Sequence, residues 1–272
     1  MHYFIDFIIT KGCDLNCKYC TSRASICSTK EVYDLELFKQ DVDHFVDIGM
    51  DFTALIIGGE PFTNPNIFDY IEYVYSKDKN IPIAIFTNGK YLSKAPDEVY
   101  DKLHKFNVAI WLTLYNKSNI DYAAIHKQCF KHHICCKFSY YMTTGIISKR
   151  NVCLRSSMRI HKLCEKAPIQ DNTLRKCIVD LSSHDKPVCI RAFNGILYYG
   201  ACLPMLGNID KKFGTDFASK LIENEDYIRI KNITKPEISI KSIKFCRNHC
   251  IYLGDAEWSV SDKKREEFIY EP

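Results

Sequence analysis

Apolar runs at residues 3–9, 53–57, 82–86, 108–114 and 136–142 alternate with stretches of helical periodicity near 33–48, 66–76, 97–105 and 119–131. Strand and helix in strict alternation imply right-handed βαβ units and a parallel sheet. Pro65-Asn66 and Ala95-Pro96-Asp97 read as the starts of the second and third helices. In such sheets and barrels ligands bind at the carboxyl ends of the strands. The residues directly after each apolar run are therefore where chemistry is expected.

Behind the first run and a Gly12 turn stand Cys13, Cys17 and Cys20. Three thiolates with gaps of three and two residues can hold three corners of a 4Fe–4S cube and leave one iron without a protein ligand. A zinc site is the alternative. It wants four ligands in paired hooks, and Cys27, the next cysteine, is too far along the chain to form one with Cys20. No basic, apolar and small-residue succession follows Met1-His2-Tyr3, so no secretory signal is read and the thiols are expected in a reducing, cytoplasmic compartment.

Composition bounds the partners. A chain of 272 residues, 46% hydrophobic and 26% charged, can bury a sizeable core. A net charge of +4 is too small to argue for nucleic acid, and the apolar runs are too short for a bilayer span. Lys263-Lys264-Arg265 is followed at once by Glu266-Glu267, which reads as a solvated surface. Residues 145–185 are the least regular stretch.

The Cys13-x3-Cys17-x2-Cys20 spacing, with Tyr19 before the last cysteine, resembles the signature of the radical S-adenosylmethionine (radical SAM) superfamily. Gly58-Gly59-Glu60-Pro61 after the second strand, Thr87-Asn88-Gly89 after the third and Thr113 at the fourth resemble further motifs of that family, in the same order. The resemblance implies an α/β fold, a partial (β/α)6 parallel barrel, with S-adenosylmethionine (SAM) on the open iron and a flavodoxin- or ferredoxin-like reductase as electron donor. It gives Gly58 and Gly59 a close approach to the cofactor's methionine part, which residues without Cβ permit. Glu60 is implied as acceptor for the cofactor ammonium, and Pro61 as the stiffener of the turn. Tyr19 is implied beside the adenine; Thr87, Asn88 and Thr113 are candidates for ribose and carboxylate contacts.

A second group of cysteines follows at Cys189, Cys202, Cys246 and Cys250. Asn194-Gly195 reads as the turn of a hairpin that brings Cys189 and Cys202 together. Cys246-x3-Cys250 adds two thiols on a helical turn or tight loop. Four cysteines in two local pairs can close a zinc tetrahedron or ligate a full 4Fe–4S cube. With Leu206-Gly207-Asn208-Ile209, they resemble the Twitch domain, a shortened SPASM domain that carries an auxiliary cluster. The gap of three in the second pair departs from the usual two, and Cys177 stands as an alternative ligand. The expected division is a radical SAM barrel over 1–185 and a small α+β auxiliary-cluster domain over 186–272.

The resemblance implies reductive cleavage of SAM and removal of a hydrogen atom from a substrate. A sugar- or aminocyclitol-like small molecule, dehydrogenated or epimerised, is the expected substrate class, because the first strand begins near residue 3 and leaves no room for a peptide-recognition domain. Maturation of a ribosomal peptide is the alternative within the family, and a non-catalytic Fe–S or zinc binding protein the alternative outside it. Tyr115, Asn116, Tyr141 and Arg155 are candidate substrate-facing residues. His132-His133 beside Cys135-Cys136 reads as structural, since neighbours on a strand face opposite ways. Cys27, Cys129, Cys153 and Cys164 read as small buried hydrophobes, any one of which could donate a hydrogen atom in an epimerase.

Overall fold

A computed structural model of the chain describes residues 2–115, 118–139, 157–167, 188–224, 226–236, 238 and 244–271. Strands β1 (Tyr3–Thr10), β2 (Phe52–Gly58), β3 (Ile83–Thr87), β4 (Val108–Thr113) and β5 (Cys136–Ser139) run parallel and adjacent in that order. Helices α1 (Leu35–Asp47), α2 (Ile67–Lys77), α3 (Asp97–Lys105) and α4 (Tyr122–Lys131) join them. Asp34 caps α1 by accepting the Leu37 N–H at 2.9 Å, and Asp121 caps α4 through the Ala124 N–H. Phe38, Val42 and Phe45 recur at helical spacing on the buried stripe of α1, where Phe38 and Phe45 pack edge-on to Phe7 of β1. These elements coincide with the sequence pattern to within a few residues. The end of the fifth expected strand, past Ser139, lies outside the described residues.

The sixth parallel strand is β7 (Val188–Phe193), and it joins the far edge of β1, from Tyr3↔Val188 to Phe7↔Ala192. A turn at Asn194 (φ 46°) and Gly195 (φ 78°) reverses the chain into β8 (Ile196–Tyr198), and β9 (Tyr227–Arg229) follows antiparallel. Among the described residues the sheet is open, with order β5-β4-β3-β2-β1-β7-β8-β9. The chain after residue 185 thus continues the sheet begun before it. A separate pair, β6 (Ser157–Leu163) with β10 (Cys250–Glu257), and the helices Leu206–Phe213, Phe217–Asn224, Lys244–His249 and Arg265–Phe268 surround a second core of Leu163, Leu206, Phe217, Phe245 and Phe268.

The face of the main sheet opposite α1 is built differently. Phe4, Phe86 and Trp111 form an aromatic lane there, with ring centroids 4.8 and 5.9 Å apart. Beside it Asp6 meets Arg191 at 3.5 Å. Burial pushes the Asp6 carboxyl from an ordinary 3.8 up to about 6, against the pull of the Arg191 guanidinium. The folded chain then holds this proton more tightly than the unfolded one, so Asp6 stabilises fully below about pH 4 and that contribution is lost as pH rises through 6. Urea midpoints measured from pH 4 to 8 are therefore expected to diverge, Asp6→Asn gaining on the parent by up to about 3 kcal/mol. Parallel curves would mean that Asp6 ionises without cost.

Candidate active site

The loop leaving β1 carries Cys13, Cys17 and Cys20 across the carboxyl ends of β2 and β3. Its path is strained: Asn16, Tyr19 and Arg23, none a glycine, all have φ between 49° and 59°. Contacts from three directions hold it. From β2, the Gly59 N–H donates to the Thr10 carbonyl and the Glu60 N–H to the Gly12 carbonyl, both at 3.0 Å. A Cβ on Gly59 would fall 2.1 Å from the Gly12 oxygen, and one on Gly58 2.2 Å from that of Thr10. In this structure the two glycines admit the cysteine loop itself.

From β3 comes the second contact, through Glu60. Its carboxylate is 1% exposed and accepts from the Thr87 hydroxyl at 2.7 Å, the Asn88 N–H at 2.8 Å and the Phe62 N–H at 3.3 Å. Burial outweighs these donors and raises its pKa to about 7. A cation placed against Glu60 would restore its charge. Asn88 then reaches the loop, its Nδ2 donating to Asp14 at 2.9 Å and lying 3.9 Å from Cys13 Sγ, while Lys90 pairs with Asp14 at 3.2 Å. Pro61 opens the short turn Pro61–Thr63 directly after Glu60. Thr113 is buried at the end of β4, and Tyr19 sits under the Lys18 ammonium, 5.3 Å from the ring centre.

The third contact is the end of the chain. Lys18 N–H donates to the Ser259 carbonyl at 2.8 Å, Ser261 N–H to the Asn16 carbonyl at 2.6 Å, and Cys17 bridges Val260. Trp258 Nε1–H donates to Cys17 Sγ at 3.0 Å. Tyr115, expected to face substrate, stands here: its ring lies 5.7 Å from that of Trp258 and its side chain also bonds Cys17. Asn116, Tyr141, Arg155, Cys153 and Cys177 lie outside the described residues.

Among the described residues no three Cys, His, Asp or Glu side chains converge on one point at metal-binding distance. The three loop cysteines are neighbours whose charges would act on one another, not a closed tripod. Burial drives the Cys13 thiol far up and that of Cys17 to about 12, with Trp258 and Tyr115 pulling Cys17 part of the way back. Soft thiols that resist ionising without a cation, next to hydrogen-bond donors aimed at sulfur, are a donor set that fits an iron–sulfur cluster. The residues present therefore fit the group that the spacing implies.

Of the second cysteine group, Cys202, Cys246 and Cys250 share the second buried core. Cys246 lies in the helix Lys244–His249, and Cys250 opens β10, the strand that hands over to Trp258. Cys189 stands in β7 in register with Phe4, and its hairpin leads back toward Gly200, where an added Cβ would come 3.4 Å from Cys246 Sγ. The guanidiniums of Arg23 and Arg191 both pull the Cys202 thiol down against the stronger effect of burial. Arg191 also donates to Ser22 Oγ and to the Ala201 carbonyl, both at 2.8 Å. Asn208 donates to both oxygens of Glu31, which neighbours Lys11. His132 stacks on Tyr100 and bonds Asp101, a structural role.

Residues 7–132 match the family model of the Radical SAM superfamily. Members of this family bind SAM and a 4Fe–4S cluster. The chain is 33% identical over 104 residues to the AdoMet-dependent heme synthase of Methanosarcina barkeri, covering 37% of this chain and 27% of that protein. It is 34% identical over 105 residues to the GTP 3',8-cyclase of Alkaliphilus oremlandii (38% and 32% covered) and 32% identical over 108 to the subtilosin biosynthesis protein AlbA of Bacillus subtilis (40% and 23%). It thus spans roughly a quarter to a third of these relatives' length. Among solved structures, BtrN in complex with AdoMet and 2-DOIA aligns with a TM-score of 0.42 at 17% identity, over 53% of this chain and 59% of that one.

Trp258, Asp14, Lys90 and Arg191 were not singled out from the sequence. Asp14 and Lys90 abut motif residues and were within reach of a closer reading; Trp258 and Arg191 arrive by long-range pairing. The backbone contact at Gly59 generates a direct check. Gly59→Ala is expected to cost about 1–3 kcal/mol in denaturant unfolding, because backbone is what the new methyl meets, and to lower iron retention. Gly207→Ala, where an added Cβ meets nothing within 4 Å, is expected to retain iron. Equal iron content in both would deny the glycine its role in seating the loop.

Proposed function

We propose that the chain cleaves SAM reductively at a cluster held by Cys13, Cys17 and Cys20 and removes a hydrogen atom from a small polar, sugar- or aminocyclitol-like substrate, leading to dehydrogenation or epimerisation. When bound, the cluster and SAM supply the electron and the carbon-centred oxidant for that step. The observation that carries the reading is the Glu60 carboxylate, buried beside the cysteine loop and held by Thr87 and Asn88. It offers a fixed acceptor for the cofactor's ammonium. Each carboxylate oxygen has two lone pairs, so the three donors present leave one free.

The substrate class is supported by the charged pair Asp6–Arg191 beside the Phe4–Phe86–Trp111 lane on the sheet face opposite α1. A hydroxyl- or amine-bearing ring can stack on the lane and hydrogen-bond to the pair. Cys189, Cys202, Cys246 and Cys250 are proposed to hold an auxiliary 4Fe–4S cluster, supported by the burial of the last three in one core and by the two arginines acting on Cys202. Peptide maturation is the second reading, favoured by the similarity to AlbA, whose name places it in bacteriocin biosynthesis.

Protein reconstituted without oxygen and given dithionite and SAM is expected to release 5′-deoxyadenosine; a fully loaded protein that releases none contradicts the proposal. Iron analysis is expected to give about eight irons per chain, falling toward about four in Cys202→Ala. An unchanged count would remove the auxiliary cluster. Glu60→Gln is expected to keep its iron while SAM binding, measured by equilibrium dialysis, weakens about 10- to 100-fold, the range for a lost hydrogen bond to a charged group. Unaltered SAM affinity would assign Glu60 a purely structural task.

A further inference from the structure

We infer that Trp258 is a positioning residue for the cysteine-loop cluster: its indole N–H, delivered to Cys17 by the antiparallel bridge of 259–261 with 16–18, raises the reduction potential of that cluster. This rests on the proposed function, since it needs the cluster to be there. Indole nitrogen is a donor only, so the 3.0 Å contact has one polarity, N–H toward sulfur. Hydrogen bonds to cluster sulfurs favour the more negative, reduced state and are among the protein's levers on potential. Cys17 is buried, whereas Cys13 and Cys20 are partly exposed, so the bond acts where screening is least.

The surroundings fix the donor. Lys18, Ser261 and Val260 tie the segment to the loop on either side of Cys17. Glu267 clamps the turn beyond it, accepting from the Ser261 hydroxyl at 2.8 Å and the Lys263 N–H at 3.0 Å. Tyr115 leans on the indole and is itself held, its N–H donating to the Tyr122 hydroxyl at 3.0 Å. One electron enters the cluster on reduction, and the indole bond needs no proton transfer to respond to it.

The test is a potentiometric titration of the full-length reconstituted protein, followed on the EPR signal that changes when SAM is added, so that an auxiliary cluster does not interfere. Trp258→Phe is expected to lower the ratio of reduced to oxidised cluster about tenfold at a fixed potential, a midpoint about 59 mV more negative for one electron. Trp258→His, which restores an N–H donor, is expected to recover most of the shift. An unchanged midpoint in Trp258→Phe overturns the inference. Should that variant fail to load iron, Tyr115→Phe is titrated instead: a smaller negative shift supports a donor cap on Cys17, and none overturns it. Absence of any SAM-responsive signal in the parent protein defeats the underlying reading instead.

Discussion

The buried Glu60 carboxylate is the interaction on which the rest of the site depends. It stands where β2 ends and binds the first residues after β3, so two strand ends become one platform. Asn88 passes the link onward to Asp14 and the neighbourhood of Cys13, while Gly59 and the Glu60 N–H hold the same loop by its backbone. The donors and the burial work against each other. Three hydrogen bonds favour the charged form, yet the pKa still rises to about 7. The protein has therefore prepared a place for positive charge without supplying it. On the proposed function, the ammonium group of the cofactor would supply that charge.

The cysteine loop shows the same logic. Left-handed backbone at Asn16, Tyr19 and Arg23 is unfavourable and persists because β2, β3 and the C-terminal segment all dictate the loop's course. Burial favours the protonated form of the Cys13 and Cys17 thiols in the absence of a cation. On the proposed function, cluster binding would release those protons, as at metal sites whose ligands must ionise to bind.

Much of this was legible in the sequence. The βα alternation located β1 to β5 and α1 to α4 because apolar periodicity is a local signal, and Asn194-Gly195 announced its turn because both residues tolerate positive φ. Glu60, Thr87 and Asn88 were found as motif residues, each at a strand end. What was not legible depends on pairing between distant segments. Nothing local in Val188–Phe193 says that it joins β1, and nothing near Trp258 says that it meets Cys17. Tyr115 illustrates the boundary: its place just past β4 follows from local pattern, but Trp258, whose ring it meets beside Cys17, lies far along the chain.

The central claim is that the Cys13, Cys17 and Cys20 loop presents an iron to SAM beside Glu60. Electron–nuclear double resonance on the reduced, reconstituted protein with SAM labelled by 15N at the amino group tests it most directly. The account predicts a 15N coupling large enough to require nitrogen bound to iron, absent without SAM. A cluster that forms and reduces but shows no such coupling would contradict it.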